Sequence, residues 1–94
     1  MGGMEILDEE EVRRRVLEVL NQLCSDLNVG YLEISDVLNV DSAYIFKLLK
    51  GKKKLTFSAL IKLIYALNVL NERKGKPLDE SDLKLSSILR RGGL

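Results

Sequence analysis

Two short amphipathic segments separated by a tight turn constrain the fold of this chain most. Residues 31–38 and about 42–50 each carry apolar side chains at helical spacing. Asn39 lies where a tight turn needs a left-handed backbone, a conformation that asparagine tolerates. Asp41 is a good N-cap for the second segment, and Gly51 is its expected C-terminal stop. The spacing therefore predicts a helix-turn-helix.

Longer amphipathic segments flank this unit. Residues 8–27 form one apolar stripe, with Asp8 as the N-cap and Glu11 as the partner residue of a capping box. On the other side, Thr56 is expected to cap a helix that runs to about Leu70. Four helices are therefore expected between residues 8 and 70.

The C-terminal part is less regular. Residues 71–77 are polar and contain a glycine and the single proline, which predicts a linker. Apolar residues return at about 78–90, as a fifth helix or a dimerisation segment. Glycines near both ends predict frayed tails at 1–7 and 91–94. The expected fold is a single all-α domain of four to five helices.

Composition limits the function classes. The chain has 94 residues, 46% apolar and 31% charged, which is typical of one globular domain. We expect a cytoplasmic protein, because no apolar run would span a bilayer and the N-terminus lacks a signal-peptide pattern. The chain has no histidine, no glycine-rich phosphate loop and a lone cysteine, Cys24, interpreted as a small buried hydrophobe. We therefore expect no enzyme, no metal and no cofactor.

The charges are unevenly distributed, although the net charge is only +1. Residues 1–40 carry nine acidic and three basic side chains, whereas residues 41–94 carry five acidic and twelve basic ones. Three arginines at 13–15 are expected to pair with glutamates along their own helix. The acid-free stretch 47–62 holds six lysines, which are either a solvated surface or a set of phosphate contacts.

Residues 31–69, YLEISDVLNVDSAYIFKLLKGKKKLTFSALIKLIYALNV, resemble the Cro/cI-type (XRE-like) helix-turn-helix family. The match rests on the joint spacing of a small residue, a turn, an apolar pair, a glycine and a following amphipathic helix. These features fall at Ser35, Asn39–Val40 in place of the usual Gly-Val, Ile45 and Leu48, Gly51, and the helix after Thr56. The resemblance implies a domain of the lambda-repressor-like type.

In that family the third helix enters the major groove of DNA. The resemblance implies base contacts from Ser42, Ala43, Tyr44 and Lys47. It also implies phosphate contacts from Tyr31, Lys50, Lys52, Lys53, Lys54 and Thr56. A sequence-specific regulator of transcription, acting as a repressor on double-stranded DNA, is the expected function.

Two departures from the family pattern keep an alternative open. The glutamine or arginine typical of the recognition helix is absent, and Phe46 stands where a polar residue is usual. Phe46 either packs against a neighbouring helix or is exposed to a partner. For Tyr31 and Tyr44 two interpretations are also open, since each is either a packing residue or a DNA contact. The alternative function is a protein-interaction module, antitoxin-like or adaptor, with little base recognition.

Apolar residues near the C-terminus bear on the oligomeric state. They either cover the core of their own chain or form a two-fold interface, and members of the family commonly bind DNA as dimers. The expected homodimer interface consists of Leu83, Leu85, Ile88 and Leu89.

Overall fold

The computed structural model describes residues 8–94 and contains helices but no strand in that range. The prediction of a small all-α domain of helix-turn-helix type is confirmed. Five α-helices and one 3-10 turn follow in this order: α1 Glu9–Leu27, α2 Tyr31–Leu38, α3 Ser42–Leu49, α4 Phe57–Arg73, the turn Glu80–Leu83 and α5 Leu85–Arg91. The tail predicted at 1–7 lies outside the described residues.

Helix α1 has the predicted bounds and the predicted N-cap, but the capping box predicted at its beginning is incomplete. The Asp8 carboxylate accepts hydrogen bonds from the backbone N–H groups of Glu10 and Glu11. Glu11 does not complete the capping box, because its carboxylate pairs with Arg14 and Arg15 instead. Arg14, followed by Arg15, lowers the pKa of the Glu11 carboxyl. Arg13 pairs with Glu9 and Glu10, so the predicted pairing of residues 13–15 along the helix is confirmed.

The turn between α2 and α3 has the predicted geometry. Asn39 adopts a left-handed backbone with φ of 55°, and the Val40 N–H donates to the Ser35 carbonyl at 3.1 Å. The Asp41 carboxylate then accepts from the Ala43 N–H at 3.0 Å and caps α3. Ile34, Ile45 and Leu48, which belong to these two helices, are buried in the central core. The packing of α2 against α3 is therefore fixed from within.

Helix α4 is longer than the sequence predicts. Thr56 caps it as expected, with its hydroxyl accepting from the Ala59 N–H at 3.1 Å. The helix continues to Arg73, however, so the linker predicted from residue 71 is wrong for its first three residues. Asn71, which suggested a polar linker, is instead a buried residue of this helix, because its side chain is hydrogen-bonded to both backbone groups of Leu78.

The C-terminal segment packs on its own chain. Its predicted helix is split at Lys84, which has an extended backbone between the 3-10 turn and α5. Leu83 and Ile88 are 1% and 0% exposed in the core shared with α1 and α4. The predicted two-fold interface is therefore wrong for these two residues. Leu85 and Leu89 lie at the edge of the same core and remain partly exposed.

Residues 91–94 are held in place, contrary to the predicted C-terminal tail. The Leu94 N–H donates to the Leu89 carbonyl at 3.0 Å, and Gly92 is buried against α1. A methyl group added at Gly92 would lie 2.6 Å from a side-chain methyl of Val16, so only glycine fits this approach without a shift. None of the helices between residues 8 and 94 has the length and apolarity needed to cross a bilayer.

Candidate nucleic-acid interface

Helix α3 presents one side to the core and the other to solvent. Ile45, Leu48 and Leu49 face inward and are buried. Ala43 and Lys47 are exposed, and Ser42 and Tyr44 are half-buried beside them. All four residues predicted to contact bases are therefore accessible on α3 at least in part. An exposed face with a methyl, a hydroxyl, a phenol and an ammonium group can contact both polar and apolar edges of a ligand.

The lysine loop, Lys50–Lys54, is folded back onto α3. Backbone N–H groups of Lys52 and Lys53 both donate to the Lys47 carbonyl, at 2.8 and 3.2 Å. Gly51 permits this reversal with φ of 74°, a conformation that side chains disfavour. Buried Leu55 anchors the far end of the loop. The loop is thus fixed by its backbone, which leaves its lysine side chains exposed.

Two of these lysines lie over aromatic rings of α3. The Lys52 ammonium is 5.5 Å from the centre of the Phe46 ring, and the Lys53 ammonium is 5.7 Å from that of Tyr44. Both distances allow a cation–π interaction, which favours these side-chain positions without removing the charge from solvent. Positive charge is thereby placed directly beside the exposed side of α3.

Phe46 also joins α3 to the beginning of α2. Its ring is half-buried and makes an edge-to-face contact with Tyr31, with the ring centres 5.3 Å apart. Phe46 therefore packs against a neighbouring helix, and part of its surface remains accessible. Tyr31 is likewise half-buried, so packing accounts for its ring and leaves the role of its hydroxyl as a prediction.

An open hollow of about 580 Å³ lies between the N-terminal ends of α2 and α3. Most of its lining is apolar, and its residues are Gly30, Tyr31, Leu32, Glu33, Ser42, Ala43 and Phe46. The Glu33 carboxylate is the one acidic group in this lining. One of its oxygens accepts from the Gly30 N–H at 3.3 Å, and the other lies 3.5 Å from the Lys74 ammonium. Its charge is therefore compensated locally.

A second cleft, of about 550 Å³, separates the lysine loop from the beginning of α1. Lys53 and Lys54 line one side of it, and charged residues of both signs line the side formed by α1, namely Glu10, Glu11, Arg13 and Arg14. The glutamates of α1 therefore border the lysine loop, together with the arginines with which they pair. Other exposed basic residues, such as Lys62 on α4 and Arg90 on α5, lie outside the loop and α3.

The structure brings several predicted contact residues together. Tyr31, Ser42 and Ala43 line one hollow, although Tyr31 was assigned to phosphate and the other two to bases. Lys50, Lys52, Lys53 and Lys54 are exposed. Thr56 is exposed as well, and its hydroxyl oxygen already caps α4. Among residues 8–94, no group of three or more cysteine or acidic side chains is arranged to hold a metal ion.

Several exposed apolar residues have no role in the functions predicted from the sequence. Leu32 is 70% exposed at the hollow, yet it was assigned no role. Phe57, Ile61 and Tyr65 form an exposed stripe on α4, at four-residue spacing. The stripe was detectable from the sequence, because core residues of the same helix, such as Leu60 and Ile64, occupy a different face.

The chain matches no protein-family model, no curated protein and no solved structure in the three comparisons made.

Proposed function

We propose that this protein binds double-stranded DNA sequence-specifically and regulates transcription, acting as a repressor by occupying its site. Helix α3 lies in the major groove in this proposal, and the lysine loop lies along the phosphate backbone. The proposed activity is binding rather than catalysis. Base recognition falls to Ser42, Ala43, Tyr44 and Lys47, which share the accessible part of α3.

One observation carries the proposal: the lysine loop is fastened to the helix that would recognise bases. The Lys47 carbonyl holds the loop through two backbone hydrogen bonds. The backbone that carries the lysine side chains therefore has a fixed place relative to α3, unlike that of a free tail. Phosphate contacts set the register of a protein on a duplex, and base contacts then specify sequence. A loop fixed to the recognition helix supports both tasks at once.

Selection from a random duplex pool, followed by salt titration on the selected sequence, tests the proposal. Four exposed lysines, Lys50, Lys52, Lys53 and Lys54, predict that the logarithm of affinity falls with that of salt at a slope of about −3 to −4 per protomer. An enriched sequence with such a slope would support the proposal. Failure to bind any duplex at about 50 mM salt would contradict it.

A homodimer is part of the proposal. Leu85 and Leu89 support it, since both are partly exposed neighbours on the C-terminal segment. A two-fold dimer predicts two symmetric half-sites about 34 Å apart in the selected sequence. Analytical ultracentrifugation with and without the duplex tests this directly. If the protein binds a single half-site as a monomer, the proposed dimer is contradicted and the proposed DNA binding is not.

A protein-interaction module is the second candidate, because the stripe of Phe57, Ile61 and Tyr65 is exposed to 66%, 40% and 59%. Such apolar surfaces on one helix are typical of contacts with another protein. The double variant F57S/Y65S tests this candidate in cells that express the chain. A second protein that co-purifies with the wild type and not with this variant, together with absent DNA binding, would favour it.

A further inference from the structure

The apolar hollow between α2 and α3 carries an inference about which duplexes are recognised, and it rests on the proposed function. We propose that this hollow accepts the 5-methyl groups of pyrimidine bases in the major groove, with Leu32, Ala43 and Phe46 as the residues that contact them. The protein would then prefer sites that carry thymine or 5-methylcytosine at the contacted positions.

The residues that line the hollow are better suited to contact a methyl group than a polar base edge. Leu32 and Ala43 are exposed and Phe46 is half-buried, so their apolar surface faces solvent in the free protein. No glutamine, asparagine or arginine lines the hollow, so the usual bidentate partners of adenine and guanine are absent from it. The 5-methyl group of a pyrimidine is the apolar feature that the major groove offers.

The charge around the hollow favours DNA as the source of that methyl group. The Lys52 ammonium lies 5.5 Å from the centre of the Phe46 ring, which lines the hollow. Glu33, the one acid in the lining, is compensated by Lys74. A duplex presents methyl groups within the major groove and phosphates at the edge of the groove. The apolar lining of the hollow and the neighbouring lysine match these two features. A protein partner would need an acidic group beside its apolar side chain to gain from the same lysine, whereas every duplex carries phosphates beside its grooves.

A duplex without methyl groups tests the inference with base pairing unchanged. The probe is the selected duplex, made once with thymine and once with deoxyuridine at every thymine position. Burial of one methyl group favours binding about fourfold, so the thymine duplex should bind about fourfold more tightly for each contacted methyl. A third duplex, with 5-methylcytosine in place of cytosine, tests the other source of the same group.

Two variants assign the preference to the hollow. Leu32→Asn keeps a side chain of similar size and should bring the affinity ratio of thymine to deoxyuridine duplexes close to one. Leu32 is 70% exposed, so the fold does not depend on it. Tyr65→Asn is the matched control, because Tyr65 is 59% exposed on α4, outside the hollow. This control should retain the full ratio.

The outcomes separate the inference from the proposed function. The inference is supported if the protein prefers duplexes that carry the methyl group, on thymine or on 5-methylcytosine, and if Leu32→Asn removes this preference. Equal affinity for all three duplexes overturns it while DNA binding stands, and would leave the hollow to a protein side chain. Binding to none of the duplexes overturns the proposed function itself.

Discussion

The aromatic rings of Tyr31 and Phe46 stand nearly perpendicular, at 86°, with their centres 5.3 Å apart. Tyr31 is the first residue of α2 and Phe46 lies within α3, so this pair joins the two helices on the solvent side. The core residues below, such as Ile34 and Ile45, join them from within. The helix-turn-helix is therefore held on both of its faces.

This pair predicts energetic coupling. Tyr31→Leu and Phe46→Leu each keep an apolar side chain but remove one ring. A double-mutant cycle by urea denaturation should give a coupling free energy of about 0.5–1.5 kcal/mol, the usual value of an aromatic pair beyond its buried area. If the two changes in unfolding free energy simply add, the edge-to-face contact contributes no stability of its own.

The lysine loop predicts a specific change in salt dependence. In the triple variant K52A/K53A/K54A, the slope should lose about 0.9 for each phosphate contact removed, and all sequences should bind more weakly alike. The backbone bonds to the Lys47 carbonyl do not involve these side chains, so the loop should keep its path. Salt titrations on selected and random duplexes measure both effects.

A charge-matched control shows whether position or net charge matters. The variant K84A/R90A/R91A also removes three positive charges, all from the C-terminal segment. It should retain most of the wild-type slope. An equal loss in both variants would mean that the total charge of the protein, rather than the lysine loop, attracts DNA.

The fold was predictable where the decisive interactions are local. Asn39 and Asp41 act on their immediate neighbours, through a left-handed turn and a capping bond, and residue type alone indicates both. Asn71 and Gly92 act through partners elsewhere in the fold, Leu78 and Val16. Residue types along the chain therefore predict a linker at Asn71 and a tail at Gly92, and neither prediction holds.

The candidate site was predictable in its residues and less so in its shape. The exposed lysines and the accessible side of α3 follow from spacing along the chain. The hollow depends on how two helices meet, and it includes Leu32 because α2 and α3 bring their N-terminal ends together. Leu83 and Ile88 were assigned to a dimer interface, since spacing does not distinguish burial in one chain from burial between two chains.

We expect the buried side-chain amide of Asn71 to contribute strongly to the free energy of unfolding. Its side chain donates to the Leu78 carbonyl at 3.0 Å and accepts from the Leu78 N–H at 2.9 Å. Asn71→Ala leaves both backbone groups without this partner, which should lower the free energy of unfolding by about 1–3 kcal/mol. The neighbouring Glu72→Gln, at an exposed position, should change it by less than about 0.5 kcal/mol in the same urea titration. Similar values for the two variants would contradict the role of Asn71.

Cys24 predicts a loss of stability at high pH. Burial raises the pKa of its thiol from 9.0 to about 11, because the charged thiolate is disfavoured in the core. Between these two values the unfolded chain releases the proton and the folded chain retains it, so stability falls as pH rises. This group contributes a slope of at most about 1.4 kcal/mol per pH unit. In Cys24→Ala, the free energy of unfolding should therefore fall less steeply with pH across this range. If it falls as steeply as in the wild type, groups other than Cys24 cause the loss of stability.

Lys47 predicts a change of preference rather than of overall affinity. Its side chain is exposed on α3, whereas Lys54 belongs to the lysine loop. Selection with Lys47→Ala should relax the choice of base at one or two positions, since a base contact contributes about 1–3 kcal/mol of discrimination. Lys54→Ala should select the wild-type sequence with lower affinity. If Lys47→Ala also selects that sequence unchanged, Lys47 makes no specific base contact, and base recognition falls to the remaining residues of α3 and the hollow beside it.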